Sequence, residues 1–221
     1  MDINNPDFEN NEFGTENPEI ITEDKKDSGD KVNVGKEIRD WVISILLAVL
    51  IAFFIRECVF TLVKVQGSSM EPTLQNNDRL YVNRFMDVPE KGDVVIFKPA
   101  TDPNRPYIKR VIATEGDTVY IDFVTGNVYV NDKIIKEDYI KERTRTRGTY
   151  IDGLMQKGQY GRHNPIVIQP GYIFVLGDNR NNSKDSRHLG PVPIEEVMGD
   201  AVFRFWPFDS FGSVYEEIIP E

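Results

Sequence analysis

Fifteen consecutive residues without a charge, Trp41 to Ile55 (WVISILLAVLIAFFI), constrain this chain more than any other stretch. A helix of that length rises about 22 Å, short of the roughly 30 Å of bilayer hydrocarbon. Arg56 and Glu57 interrupt the run, and Cys58-Val59-Phe60-Thr61-Leu62-Val63 resumes its apolar character. Three readings compete: the apolar part of a cleaved signal, a buried core helix, and an uncleaved anchor. A cleaved signal conflicts with the long acidic stretch before the run and with the lack of a small-x-small site just after it. A core helix would carry a polar face, and this run has none. A single span over residues 37–60 is therefore expected, with Arg56 near the far interface, where a long side chain snorkels. Lys25, Lys26, Lys31, Lys36 and Arg39 precede the run. That basic flank places the N-terminus in the cytoplasm and residues 64–221 outside.

Charge is unevenly spread. Residues 1–30 hold ten acids against Lys25 and Lys26, so -8 of the net charge of -10 sits there and only -2 in the remaining 191 residues. Residues 1–36 lack apolar periodicity and cannot bury enough surface to offset ordering entropy, so a disordered acidic tail is expected. The nearly neutral body offers no large basic field, which argues against nucleic acid as a partner. One cysteine, Cys58, excludes an intramolecular disulfide and a multi-cysteine zinc site. No metal and no cofactor is expected.

Beyond the apolar run the signals turn to strands. Arg79–Asn83 alternates, Gly92-Asp93 leads into Val94–Phe97, and Ile108–Thr114 follows. Thr118–Phe123 and Val128–Asn131, joined through Gly126-Asn127, read as a hairpin. Ile166–Ile168, Tyr172–Leu176 and Ala201–Phe205 complete the set. Short strands punctuated by Gly, Pro and Asn predict a mostly β domain over residues 61–215, built on antiparallel sheet. Residues 132–165, polar and rich in Arg, Lys and Gly, are expected to form an insertion or small subdomain.

Three motifs carry the chemistry. Gly67-Ser68-Ser69-Met70-Glu71-Pro72-Thr73-Leu74 comes first and Tyr107-Ile108-Lys109-Arg110-Val111-Ile112 second. Gly177-Asp178-Asn179-Arg180 is third, running on through Ser183, Asp185-Ser186-Arg187, Gly190 and Val192-Pro193. A serine hydroxyl is a poor nucleophile until a neighbour takes its proton. The two histidines, His163 and His188, lie in no triad motif, and each is expected to be a surface or hydrogen-bonding group. Lysine can replace histidine only where burial lowers its pKa, because desolvation disfavours the ammonium. Alternate side chains of a strand share a face, so Tyr107, Lys109 and Val111 point one way and Ile108, Arg110 and Ile112 the other. Pro72 fixes its own φ and keeps Glu71 out of the helical region. The stiff chain after Ser69 then presents its Oγ and N–H toward one carbonyl. Ser68, one residue away, is the competing nucleophile.

In this order, downstream of the apolar run, the three motifs resemble bacterial type I signal peptidase, a membrane-bound serine protease with a Ser-Lys dyad that removes signal peptides. The resemblance covers roughly residues 37–207. It implies Ser69, immediately before Met-x-Pro, as nucleophile and Lys109 as general base. It implies Ser183 as the group that hydrogen-bonds and orients the lysine, and it places Met70 in the substrate pocket. Gly67 stands two residues before the nucleophile, where some members carry a serine that donates to the oxyanion. A glycine there is more typical of Gram-positive-like enzymes, and the hole then relies on backbone N–H groups at Ser69 and Gly67. Asp185 and Arg187 are implied as a bracing ion pair, with Asp178, Asn179 and Arg180 bracing the turn before it. Ala113 departs from the glycine usual at the start of the segment that runs on to Glu115-Gly116-Asp117.

The resemblance also implies a single-pass protein of a bacterial plasma membrane, with its catalytic domain outside the cytoplasm. Its partners would be the lipid bilayer and the signal peptides of exported preproteins. An extended peptide can add to a sheet edge, with small residues at the first and third positions before the cut in shallow apolar pockets. Large side chains would be rejected by exclusion. Two other classes remain to be weighed. Self-cleaving repressors share this kind of Ser-Lys core but carry a DNA-binding domain and no span, against which Trp41–Ile55 argues. A tethered, non-enzymatic β-domain would have no use for both Ser69 and Lys109.

Overall fold

A computed structural model of the chain describes residues 34–58, 60–85 and 88–218. Two compact units divide after Ser44. Helix α1, Val34–Cys58, has 25 residues and takes in the whole apolar run. It begins before the expected boundary, so residues 34–36 are helical and do not belong to the tail. Every residue from Gly35 to Phe54 is exposed, on all sides of the helix. Among the described residues no helix is long and apolar enough to cross a membrane. The acidic tail up to residue 33 and the side chains of Arg56 and Cys58 lie outside the described residues.

Twelve strands, two short α-helices and two single-turn 3-10 helices (Ile194–Glu196 and Phe208–Ser210) follow among the described residues, all within residues 45–221. In chain order they are β1 (Phe60–Lys64), β2 (Arg79–Asn83), β3 (Val94–Phe97), β4 (Tyr107–Ala113), β5 (Thr118–Asp122), β6 (Asn127–Val130) and β7 (Lys133–Ile134). Then come α2 (Thr149–Gln156), β8 (Ile166–Val167), β9 (Tyr172–Leu176), α3 (Ser186–Leu189), β10 (Val192–Pro193), β11 (Val197–Trp206) and β12 (Gly212–Ser213). An eight-stranded sheet has the order β1-β2-β11-β3-β4-β9-β10, with β12 on β11, and a four-stranded sheet has the order β7-β6-β5-β8. Every pairing is antiparallel. The expected mostly β, antiparallel class is therefore what the chain adopts.

Burial follows the sequence pattern strand by strand. β2, β5 and β6 alternate, with Leu80, Val82, Val119, Ile121, Val128 and Val130 turned inward. In β3 all four residues are buried, because both of its faces are covered. Val94 and Ile96 join a cluster with Met70, Leu74, Leu80 and Val82. Val95 and Phe97 join another with Val111, Ile173 and Val175. A third cluster ties Ile112, Phe174 and Leu176 of the large sheet to Val119, Ile121 and Val128 of the small one, and to Ile151 of α2. Each such side chain contributes about 1.5–3 kcal/mol when fully buried. The small sheet takes in the β5–β6 hairpin, so it starts at Thr118, earlier than the segment 132–165 suggested by composition.

Candidate active site

The loop after β1 carries Ser69 above two buried anchors, Met70 and Leu74. Gly67 has φ of 91°, the left-handed region that a side chain disfavours, so glycine suits the turn that delivers the two serines. The Gly177–Pro193 segment then straps this loop down. Asn179 N donates to Ser69 O at 3.1 Å. Asn179 Nδ2 donates to Ser68 O at 3.0 Å. Asn182 Nδ2 donates to Ser68 Oγ at 3.0 Å. Thr73 Oγ1 donates to Asp178 Oδ2 at 2.6 Å.

β4 brings Lys109 to the loop from the middle of the large sheet, between β3 and β9. A lysine on a central strand loses its solvent, and Lys109 is only 2% exposed. Its cross-strand neighbour is Val95, and the Tyr107 ring centroid lies 5.6 Å from Nζ. Nζ donates to Ser69 Oγ at 2.7 Å and to Ile108 O at 2.6 Å. Among the described residues no carboxylate lies within ion-pair distance of it. Burial lowers its pKa from 10.5 to about 8, with Arg187 acting in the same direction and Asp185 and Asp178 acting against it. The two serines thus differ in their partners: Ser69 Oγ meets the amine, while Ser68 Oγ accepts from an amide.

Three arginines buried to 1% exposure or less surround this arrangement. Arg187 clamps Asp185 through Nε at 2.8 Å and Nη2 at 2.7 Å, the pair anticipated from sequence. Burial alone would raise the Asp185 carboxyl, but Arg187 and the Gly177 N–H hold it below the usual carboxylate range. Asp178 and Arg180 do not pair across their turn. Asp178 takes Arg110 of β4 in a two-pronged contact, Nε at 3.0 Å and Nη2 at 2.7 Å. Arg180 turns to Glu137 and to Thr144 Oγ1, and its Nε donates to Gly177 O at 3.1 Å. Tyr139 lies against both guanidiniums, 4.4 Å from Arg110 and 5.8 Å from Arg180, and burial raises its phenol pKa.

Two implied contacts are not formed. Ser183 Oγ does not bond Lys109; it is buried with no good hydrogen-bond geometry to any group, packed beside Gly177 and the Asp185 carboxylate. The lysine is held by the Ile108 carbonyl, a partner that its own strand supplies. Gly67 N–H donates to Asn76 Oδ1 at 3.0 Å and is not free to meet an oxyanion. The Ser69 N–H has no acceptor among the described residues. Sequence reasoning did not find Arg110, Thr73, Asn76 or Tyr139. For Arg110 a signal existed: alternation puts it on the opposite face of a strand buried on both sides, where a charge needs a partner.

Ser69 and Lys109 open into a cleft of about 660 Å³. Val63, Val65, Met70 and Ile108 give it an apolar wall, so Met70 lines the cleft as well as anchoring the loop. A half-buried serine hydroxyl held against a buried lysine in such a groove is the equipment of a hydrolase that acts by acyl transfer. Residues 38–206 match the family described as signal peptidase, peptidase S26. The chain is 39% identical over 182 residues to signal peptidase IB of Staphylococcus aureus (strain COL), covering 80% of this chain and 93% of that one. It is 36% identical over 176 residues to signal peptidase I P of Bacillus subtilis subsp. natto, covering 78% and 91%. A crystal structure of a signal peptidase I from Enterococcus faecalis V583 aligns with a TM-score of 0.38 and 25% identity, over 52% of this chain and 97% of that one. The chain belongs to the signal peptidase family, peptidase S26. Its activity is that of a signal peptidase I, a serine protease that removes signal peptides.

Proposed function

We propose that this protein is a membrane-anchored endopeptidase that cuts exported preproteins after a small-x-small site, with Ser69 as nucleophile and neutral Lys109 as general base. The observation that carries this is the 2.7 Å contact between Nζ and Oγ at a lysine lowered to about 8 by burial. The neutral amine takes the Ser69 proton as Oγ attacks the scissile carbonyl carbon. The Ser69 N–H donates to the developing oxyanion. Collapse breaks the C–N bond, and the Lys109 ammonium returns its proton to the leaving amine of the mature chain. The signal peptide remains as an ester on Ser69. Lys109 then takes a proton from water, hydroxide attacks the ester, the C–Oγ bond breaks as the Lys109 ammonium returns that proton to Oγ, and the signal peptide leaves as a carboxylic acid with Ser69 and neutral Lys109 restored. Asn179, Asp178 and Arg110 hold the loop in register, and the Asp185 carboxylate, clamped by Arg187, holds the Gly177 N–H.

Helix α1 is the proposed anchor, single-pass, with the N-terminus cytoplasmic and the catalytic domain outside a bacterial plasma membrane. The exposure of apolar side chains on every side of the helix supports this, since water gives such a surface no partner. Signal peptides of preproteins and the bilayer are its proposed partners. The direct test is preprotein cleavage by the detergent-solubilised full chain. Ser69→Ala and Lys109→Ala should each abolish it, and the double variant should be little worse than either, because the two groups act as a unit. Substantial cleavage by Ser69→Ala would overturn the assignment.

A further inference from the structure

Thr73, four residues beyond Ser69, is held from both ends. Its hydroxyl donates to Asp178 Oδ2, and its carbonyl accepts from Arg204 Nη1 at 2.8 Å. The first contact belongs to the bracing already described. The second comes from β11, a strand that supplies neither member of the dyad. The same Nη1 donates to Asp78 Oδ2 at 3.0 Å, so one nitrogen spans the loop from Thr73 to Asp78. Asp78 Oδ2 also accepts the Gln75 N–H, and the Asp78 carbonyl accepts the Val65 N–H, which closes the loop at its base. Arg204 Nε donates to Ser210 O in the turn after β11. A bulge makes this reach possible. β11 sets Ala201 opposite Val82 and Phe203 opposite Tyr81, so Val202 is an extra residue. Strict alternation from buried Ala201 would turn Arg204 toward solvent. The extra residue instead sets Arg204 opposite Leu80, on the face that packs against Met70 and Leu74. Only 19% of the arginine side chain stays exposed.

We infer that Arg204 is a positioning residue for peptide cleavage: it fixes the Thr73 peptide and thereby keeps Ser69 Oγ within reach of Lys109 Nζ. This rests on Ser69 being the nucleophile. The path from Thr73 to Ser69 is short. Leu74 N donates to Met70 O at 2.9 Å, so residues 70–74 make one helical turn, and Met70 follows Ser69 directly. A shift of the Thr73 carbonyl is carried along that turn to the serine. The contact it would disturb is the 2.7 Å one between Nζ and Oγ. Asp178 grips the Thr73 side chain, whereas Arg204 grips the backbone, so the two tethers fix one residue in different ways. Arg204 touches no part of the cleft wall formed by Val63, Val65 and Ile108, and its role is confined to the loop that carries the nucleophile.

The test uses the full chain in neutral detergent and a peptide with one small-x-small site. Arg204→Gln should lower kcat by roughly tenfold, the scale of a lost charge-assisted hydrogen bond, and leave KM within about twofold. The acid limb of kcat/KM should stay near pH 8, because the burial of Lys109 is untouched. Arg204→Lys should recover part of the loss, since an ammonium can hold one acceptor but cannot fork between them. Thr73→Val removes the other tether without removing a charge from the loop, and it should give the same signature: lower kcat, steady KM, an unmoved limb. The two changes together should cost more than the product of the single losses, because each tether alone still holds the turn. Wild-type kcat in Arg204→Gln would overturn the positioning role. A raised KM, or a limb moved toward 10.5, would overturn it too, since either would show a site opened to water. Losses that simply multiply would mean that the tethers do not converge on Thr73. A wild-type protein that does not cut the peptide, or a Ser69→Ala variant that does, would sink the peptidase reading itself, and the positioning role with it.

Discussion

Replacing Lys109 by Met should abolish cleavage and, at the same time, change how stability depends on pH. Burial moves the amine from 10.5 to about 8 in the folded protein. Between those values the unfolded chain binds the proton and the folded one does not, so stability rises with pH through that window. Below pH 8 both states are protonated, and the folded state carries the full cost of a buried ammonium, about 3 kcal/mol at 1.36 kcal/mol per pH unit. Methionine has no such cost. It forfeits the contacts to Ser69 Oγ and Ile108 O, worth about 1 kcal/mol each, so the variant should be roughly 1 kcal/mol more stable at pH 7. By pH 10 the ordering should reverse, with the gap moving by about 2–3 kcal/mol, or roughly 5–10 °C in Tm for a domain of this size. Thermal unfolding of both proteins in the same detergent at several pH values isolates this one group, since every other titration cancels in the difference. Activity offers a second reading of the same pKa: kcat/KM should rise tenfold per pH unit up to about 8 and then level, because the neutral amine is the active form. A Tm gap that stays flat from pH 7 to 10 would show that Lys109 keeps an ordinary pKa, and the proposed base would be lost.

Much of this was legible because it is local. Period-two alternation gives the inward residues of β2, β5 and β6 without reference to any partner strand, and the same alternation puts Lys109 with Tyr107 and Val111. Asp185 and Arg187 are two residues apart at the start of α3, where Asp185 Oδ1 also accepts the Arg187 N–H, so a short-range rule suffices. Asp178 and Arg180 have the same spacing and do not pair. Their partners, Arg110 and Glu137, are fixed by the β3–β4–β9 register and by the chain leading out of the small sheet, neither of which a single sequence displays. Gly67 illustrates a different limit. Its residue type signals an unusual φ, but whether its N–H faces a substrate depends on Asn76, nine residues on in a loop without periodicity. Helix α1 is legible in its position because fifteen uncharged residues in a row need no partner to be seen, and the topology experiment tests its proposed place in a bilayer.

That experiment is protease treatment of intact cells, which should digest residues 64–221; protection of that region in sealed spheroplasts would reverse the proposed orientation. Ser68→Ala should keep most activity, since among the described residues its Oγ only accepts from Asn182, and a loss as complete as that of Ser69→Ala would move the nucleophile. Asp178→Ala should cost about 3–5 kcal/mol by denaturant titration, the scale of a buried pair broken on one side, because it strands Arg110; a loss under 1 kcal/mol would mean that Arg110 finds water. Gly177→Ala tests the close approach on which the nucleophile depends. A Cβ there would fall 2.2 Å from Ser183 Oγ and 2.5 Å from Ser69 O. The hydroxyl can rotate away, but Ser183 Cβ, 2.6 Å from the added Cβ, moves only with its backbone. The Ser69 carbonyl cannot move without carrying its own residue, and the Asn179 N–H holds it at 3.1 Å. Displacing a reacting group by about 1 Å can cost 100-fold, so kcat should fall on that order. Adding Ser183→Gly to the variant removes the first clash and leaves the second, so activity should stay low. Recovery of the wild-type rate in that double variant would mean that Ser69 is held by something other than its contact with Gly177.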